Sequence, residues 1–147
     1  LVYYFQPLAD EKNVDIVLTA DGWLQADQSL YRRAIGNVLS NAIRHAAPGS
    51  TISVDAGPDA HGHVWTSIGD EGDRLRPDEL ERIFQPFQRQ GDSAGTGIGL
   101  GLAVARGLAE AMGGRVGAEP TPGGGLTLVI ALPTRPGQEI PAEPGGA

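Results

Sequence analysis

Leu30, Ala34, Val38 and Ala42 recur at every fourth residue, flanked by Ile35, Leu39 and Ile43. That period fits an amphipathic α-helix and no strand, and the apolar stripe is wide. Asp27 stands where a side-chain oxygen would cap the first turn, and Pro48-Gly49 stops the run soon after Ala46. A helix of this kind cannot bury its own stripe, so the rest of the chain has to supply a second layer.

Strand-like segments supply it. Asp15 to Thr19, Thr51 to Asp55, His63 to Ile68, Arg115 to Ala118 and Leu126 to Leu132 each read as strands, and Trp23-Leu24-Gln25-Ala26 reads as a short partner strand. A polar turn over Pro58 to Gly62 joins one pair, and Gly123-Gly124-Gly125 joins the last. Leu1 to Asn13 predicts a helix kept short or kinked by Pro7, with Tyr4, Leu8 and Ala9 on one face. A short helix is predicted from Pro77, and a second long one from about Gly99 to Met112, ended by Gly113-Gly114. The order predicts an α/β fold: a two-layer α/β sandwich, with a mixed, largely antiparallel sheet packed on about three helices.

The 147 residues suit one domain, expected over 1–133, followed by a disordered Pro-, Gly- and Glu-rich tail over 134–147. The first residue is not Met and falls inside a helix-like stretch, which reads as a piece cut from a longer protein. A net charge of -7 argues against a non-specific nucleic-acid binder but leaves room for a local anion site. With no Cys, disulfides and thiolate metal sites are excluded, and a reducing cytosol is permitted. Neither a membrane-length apolar run nor a signal peptide is present.

Four clusters carry candidate chemistry. Asn37 and Asn41 lie one turn apart on the strong helix, and an amide oxygen there suits a hard cation such as Mg²⁺; helix-surface amides would look the same. Asp70-Glu71-Gly72 ends a strand, where a carboxylate can accept from an exocyclic amine and Gly72 lets a flat ring approach; ordinary turn chemistry also uses these residues. Ile83 to Arg89 holds Phe84 and Phe87, which read as core anchors, and Arg89, which could reach an anion. Gly95-Thr96-Gly97-Ile98-Gly99-Leu100-Gly101-Leu102 feeds glycines into a helix start, where free N–H groups favour phosphate. It is neither a dinucleotide fingerprint nor a P-loop.

In this order the clusters resemble the N, G1, F and G2 boxes of histidine kinase catalytic domains, over about Leu1 to Pro133. The wider superfamily includes the ATPase domains of gyrase, Hsp90 and MutL, and the fold it implies is the Bergerat ATP-binding sandwich. The resemblance implies ATP or ADP and Mg²⁺ as ligands. It gives Asn41 the Mg²⁺ that bridges the phosphates, Asn37 the ordering of metal and phosphates, and Arg44 a phosphate contact. His45 takes the place of an aromatic beside the adenine, and Asp70 accepts the adenine amino group next to Gly72. Thr96, Gly97, Ile98, Gly99, Leu100, Gly101 and Leu102 would shape the phosphate loop, 88–96 the ATP lid, and Arg89 would touch the terminal phosphate.

The resemblance also implies transfer of the γ-phosphate to a histidine on a separate helical dimerisation domain, with a response regulator downstream. The domain itself would touch neither membrane nor nucleic acid, as the cytoplasmic part of a membrane-bound sensor. His61 and His63 flank a turn and read as exposed polar residues without an acidic neighbour, so the isolated domain is not expected to phosphorylate itself. In the G1 box Arg74 stands where the family has its second Gly, which points to a reshaped loop and weaker nucleotide binding. That departure keeps a non-catalytic module as an alternative; a gyrase-type ATPase is a second, though Asn37 stands where those enzymes place a Glu base. Ala26 to His45 resembles heavy-metal-sensing kinases and Gln85 to Leu132 potassium-sensing (Kdp-type) kinases, as in an unusual member or a recombinant of two kinases.

Overall fold

The computed structural model describes residues 1–19, 24–86 and 100–133. In chain order the elements are α1 (Val2–Glu11), β1 (Asp15–Leu18), α2 (Gln28–His45), β2 (Thr51–Pro58), β3 (His63–Gly69), α3 (Pro77–Arg82), α4 (Gly101–Ala111), β4 (Arg115–Pro120) and β5 (Leu126–Pro133). The strands form one sheet in the order β1-β2-β3-β5-β4. β1 runs parallel to β2, because α2 crosses over between them, and every other pair is antiparallel.

The sheet buries one face. Ile52, Val54, Ile68, Leu128, Ile130 and Leu132 meet Ala34, Ile35, Val38, Leu39, Ala42 and Ile43 from α2 and Leu102, Ala105 and Ala109 from α4 in a single core. β5 alternates buried and half-buried positions, as a strand covered on one side must. The expected two-layer sandwich with a mixed sheet is therefore the fold, with α1, α2 and α4 joined by a short fourth helix, α3.

Asp27 caps α2 as predicted: its Oδ1 accepts the Leu30 N–H at 2.9 Å. Local departures have local causes. In α1, Ala9 is buried and Phe5 packs on the core, whereas Tyr4 is 79% exposed and Leu8 44%. The buried face is thus Phe5 and Ala9, and Pro7 sits inside an otherwise continuous helix. Leu24 to Ala26 form no strand, and the sheet ends at β1; Trp23 falls outside the described residues. α4 starts at Gly101 with Leu100 at its cap, two residues later than predicted. Phe87, residues 88–99 and the tail 134–147 also lie outside the described residues. Among the described residues no helix is long and apolar enough to cross a membrane.

Candidate functional site

Three structural ends meet at the candidate site: the end of β3, the start of β5 and the C-terminal turn of α2. Antiparallel pairing sets Gly69 opposite Thr127, so the next residue, Asp70, lies beside Leu126. The Asp70 N–H donates to the Leu126 carbonyl at 3.0 Å, and the Leu126 N–H donates to Asp70 Oδ1 at 3.4 Å. Gly125 crosses directly over this point at φ +102, where an added Cβ would fall 2.0 Å from the Asp70 carbonyl oxygen. Only glycine fits there.

Asp70 is 3% exposed, and the one hydrogen bond of its carboxylate among the described residues is long. Burial pushes its carboxyl up to about 6, against the Leu126 N–H and the Lys12 ammonium, which pull it down. A buried carboxylate with so little compensation among the described residues is costly and suits a further donor from beyond them.

The α2 end is tied to the same loop. Ala46 forms an isolated bridge with Gly72, and the Ala47 N–H donates to the Glu71 carbonyl at 3.0 Å. An added Cβ on Gly72 would lie 2.3 Å from the His45 carbonyl oxygen. Gly72 is therefore required first for this close approach of two backbones. His45, half-buried on the last turn of α2, is held down to about 4 by burial, then by Arg44 and Lys12. It is a neutral, flat ring at pH 7. Arg44 is exposed next to it.

Lys12 was missed by the sequence reading. Its Nζ donates to the Ile43 carbonyl at 2.9 Å and to the Arg44 carbonyl, satisfying groups that a helix end leaves unpaired. Burial lowers its pKa, opposed by Asp70 and Asp73. No local pattern marks it, because the contact spans 31 residues.

One to two turns up α2, Asn37 and Ser40 line a cleft of about 510 Å³ that also includes Arg33, and whose other wall holds Leu100 and Gly101 at the start of α4. Among the described residues α4 has no side-chain cap, and its first residues, Leu100 and Gly101, lie on this wall. Arg33 was likewise not singled out, although it sits one turn before Asn37 on the same face. Leu102 is 5% exposed with its side chain in the core, which leaves only its backbone for a ligand. Arg89, Thr96, Gly97, Ile98 and Gly99 lie outside the described residues.

Among the described residues no group of three or more His, Cys, Asp or Glu could hold a metal. Asn37 and Asn41 offer amide oxygens alone, which fits Mg²⁺ only when phosphate oxygens complete its shell.

Arg74 is exposed and packs on the hairpin tip, 3.6 Å from where a Cβ of Gly124 would lie. The three glycines there leave room for the long side chain, and the Ala46–Gly72 bridge persists beside it. Phe84 packs against the core, with the Arg106 guanidinium 5.9 Å above its ring. His63 corrects the expectation of an exposed residue without an acid nearby. It is 8% exposed, and its Nδ1 lies 2.8 Å from Asp59 Oδ2.

The sequence profile of the histidine kinase-, DNA gyrase B- and HSP90-like ATPase family matches residues 26–136. The chain belongs to this family. Sensor protein KdpD of Mycobacterium tuberculosis is 42% identical over 130 residues, covering 88% of this chain and 14% of that protein. The chain thus spans about one seventh of that relative. The KdpD match runs through both halves, so the Kdp-type likeness extends upstream of Gln85. The mycobacterial sensor histidine kinase MprB superposes with a TM-score of 0.77 at 26% identity, covering 90% of this chain and 97% of that one. Full-length ShkA in complex with AMPPNP superposes with a TM-score of 0.76 at 29% identity, over 89% of this chain and 28% of that one. The fold is that of histidine kinase catalytic domains, and this ATPase-family domain is homologous to theirs.

Proposed function

We propose that residues 1–133 bind ATP or ADP with Mg²⁺ as the catalytic domain of a two-component sensor kinase, with 134–147 as a tail. The observation that carries this reading is Asp70: a buried carboxylate, raised to about 6, facing the end of α2 with one long hydrogen bond among the described residues. The amino group of adenine is the donor it lacks, and the neutral His45 ring supplies an apolar neighbour for the base. The nucleotide then runs along α2. Arg44 lies near the base end, Asn41 and Asn37 follow, and the N-terminus of α4 receives the phosphates. Asn41 and Asn37 would hold Mg²⁺ against phosphate oxygens, and the ion would supply charge neutralisation for phosphoryl transfer. The lid 88–96, with Arg89, and the loop from Thr96 to Gly99 would close over the phosphates.

The γ-phosphate acceptor is a histidine on a helical dimerisation domain, and a response regulator takes the phosphate onward. The domain would work in the cytoplasmic part of a membrane-bound sensor, without itself touching membrane or nucleic acid. AMPPNP bound to ShkA supports the nucleotide class.

Titration with AMPPNP and Mg²⁺ by calorimetry tests the reading. The wild type binds, and Asp70→Asn binds roughly 10- to 100-fold more weakly, since a buried site that loses a paired polar contact gives up about 1–3 kcal/mol. Equal affinity of the two proteins would remove Asp70 from base recognition.

A further inference from the structure

We propose that Arg33 binds the terminal phosphate of the nucleotide and makes the cleft prefer a triphosphate to a diphosphate. The inference rests on the nucleotide reading above and deepens it with a residue that lies outside all four sequence clusters.

The position follows from the helix. Arg33, Asn37 and Ser40 fall at i, i+4 and i+7 on one face of α2, and all three line the cleft of about 510 Å³. Asn41, Asn37 and Arg33 step back from His45 by successive turns. At 1.5 Å per residue Arg33 is about 18 Å from His45, one turn beyond Asn37. It therefore marks the end of the cleft farthest from the base, where the last phosphate of a nucleotide laid along α2 arrives.

The charge follows from the neighbours. Among the described residues that line the cleft, Arg33 alone is charged. α2 holds no Asp or Glu, so no residue one turn away on the helix can neutralise it. Its guanidinium makes no ion pair among the described residues, whereas Arg76 and Arg82 pair with Asp78 and Arg106 with Glu110. In a chain of net charge -7, a cleft whose one charge is positive is set for an anion.

The chemistry follows from the guanidinium and the walls around it. A planar fork donates to two oxygens of one phosphate and stays charged at any working pH. Across the cleft, Gly101 places the N-terminal end of α4, whose dipole favours the same sign of ligand. Gly36, between Arg33 and Asn37, has no side chain to fill the floor, and the Phe5 ring lies 3.6 Å from where its Cβ would stand. A phosphate seated beside that apolar ring is less screened by water than one on an open surface. During transfer the same contact would offset charge on the oxygens of the moving phosphoryl group.

ADP lacks the phosphate in question, so the ratio of AMPPNP to ADP affinity isolates the contact. Both would be measured with Mg²⁺ by calorimetry on the full chain, for the wild type, Arg33→Gln, Arg33→Lys and Arg32→Gln. Arg32 is an exposed neighbour that does not line the cleft. Arg33→Gln should bind AMPPNP roughly 10-fold or more weakly, as the loss of a hydrogen bond to a charged group does, and ADP within about threefold of wild type. Arg33→Lys keeps the charge without the fork and should fall between, and it carries the test if the Gln variant does not fold. Arg32→Gln should match the wild type with both ligands. Equal losses for AMPPNP and ADP, no loss for either, or a loss that Arg32→Gln reproduces would overturn the inference. If the wild type binds neither nucleotide, the proposed function fails and takes this inference with it.

Discussion

Asp70 and His45 both lie against Gly72 and have displaced pKa values of opposite sense, about 6 for the carboxyl and about 4 for the imidazole. For Asp70 the folded value lies above the ordinary carboxylate range. The native state then holds more protons than the unfolded state between about pH 4 and 6, and stability falls as pH rises through that window, by at most about 3 kcal/mol. For His45 the folded value lies below the ordinary 6.5, so stability is lost as pH falls from about 6.5 toward 4. The two slopes oppose each other where they overlap. Urea denaturation of the unliganded wild type should therefore show little change in stability between pH 4.5 and 6. Asp70→Asn removes one slope: it should be about 1–3 kcal/mol more stable than wild type at pH 7 and lose stability on acidification. His45→Gln should gain stability on acidification instead. Parallel profiles for the wild type and Asp70→Asn would mean that Asp70 ionises normally. The carboxylate would be a functional group held in place at the expense of the empty fold, as a buried recognition residue is.

Among the elements, α2 carries most of the fold and most of the site. Leu39 is fully buried at its centre, and Tyr3 on α1 is 92% exposed. Leu39→Ala should cost about 2–5 kcal/mol in equilibrium unfolding, and Tyr3→Ser should stay within about 0.5 kcal/mol; similar values would displace α2 from the core. The same contrast explains what the sequence made legible. The α2 stripe, its Asp27 cap and the Asn37–Asn41 pair follow from spacing along one helix, where three- and fourfold periods leave little choice. α1 was misread because two stripes compete on it, Tyr4–Leu8 and Phe5–Ala9, and only packing selects the second. Asp70 was legible as a residue, but its burial was not. Burial depends on β5 arriving beside it and on Gly125 crossing over it. Lys12 left no trace, since nothing near it in the chain specifies a bond to the far end of α2. Gly72 was singled out for a reason that the fold replaces: it admits the His45 carbonyl before it admits any ring.

At the scale of the whole molecule, the crossover from β1 through α2 to β2 lays the helix across the sheet, so that the base end and the phosphate end of the proposed site lie along one axis. Asn37 and His45 are separated by about 12 Å at 1.5 Å per residue. That layout also places the chain's three histidines. His45 is neutral and set in the wall at the base end. His63 starts β3, His61 lies in the turn before it, and Asp70 follows the far end of the strand, about 20 Å away at the usual strand rise. His63 is further held by Asp59, which accepts the His61 and His63 N–H groups at 2.8 and 2.9 Å. Phosphoryl transfer needs the reacting atoms about 3–3.5 Å apart and in line. In the proposed reading none of the three histidines lies at the phosphate end beside α4, and the acceptor is expected on a separate domain. With γ-labelled ATP and Mg²⁺, the purified chain should gain no label. A supplied helical domain bearing the acceptor histidine should be labelled, and the label should be lost when that histidine is replaced by Gln. Label retained on this chain alone, and abolished by His61→Gln or His63→Gln, would require the hairpin end of β3 to reach the phosphates. That would contradict the sheet register that sets Asp70 and the two histidines at opposite ends of one strand.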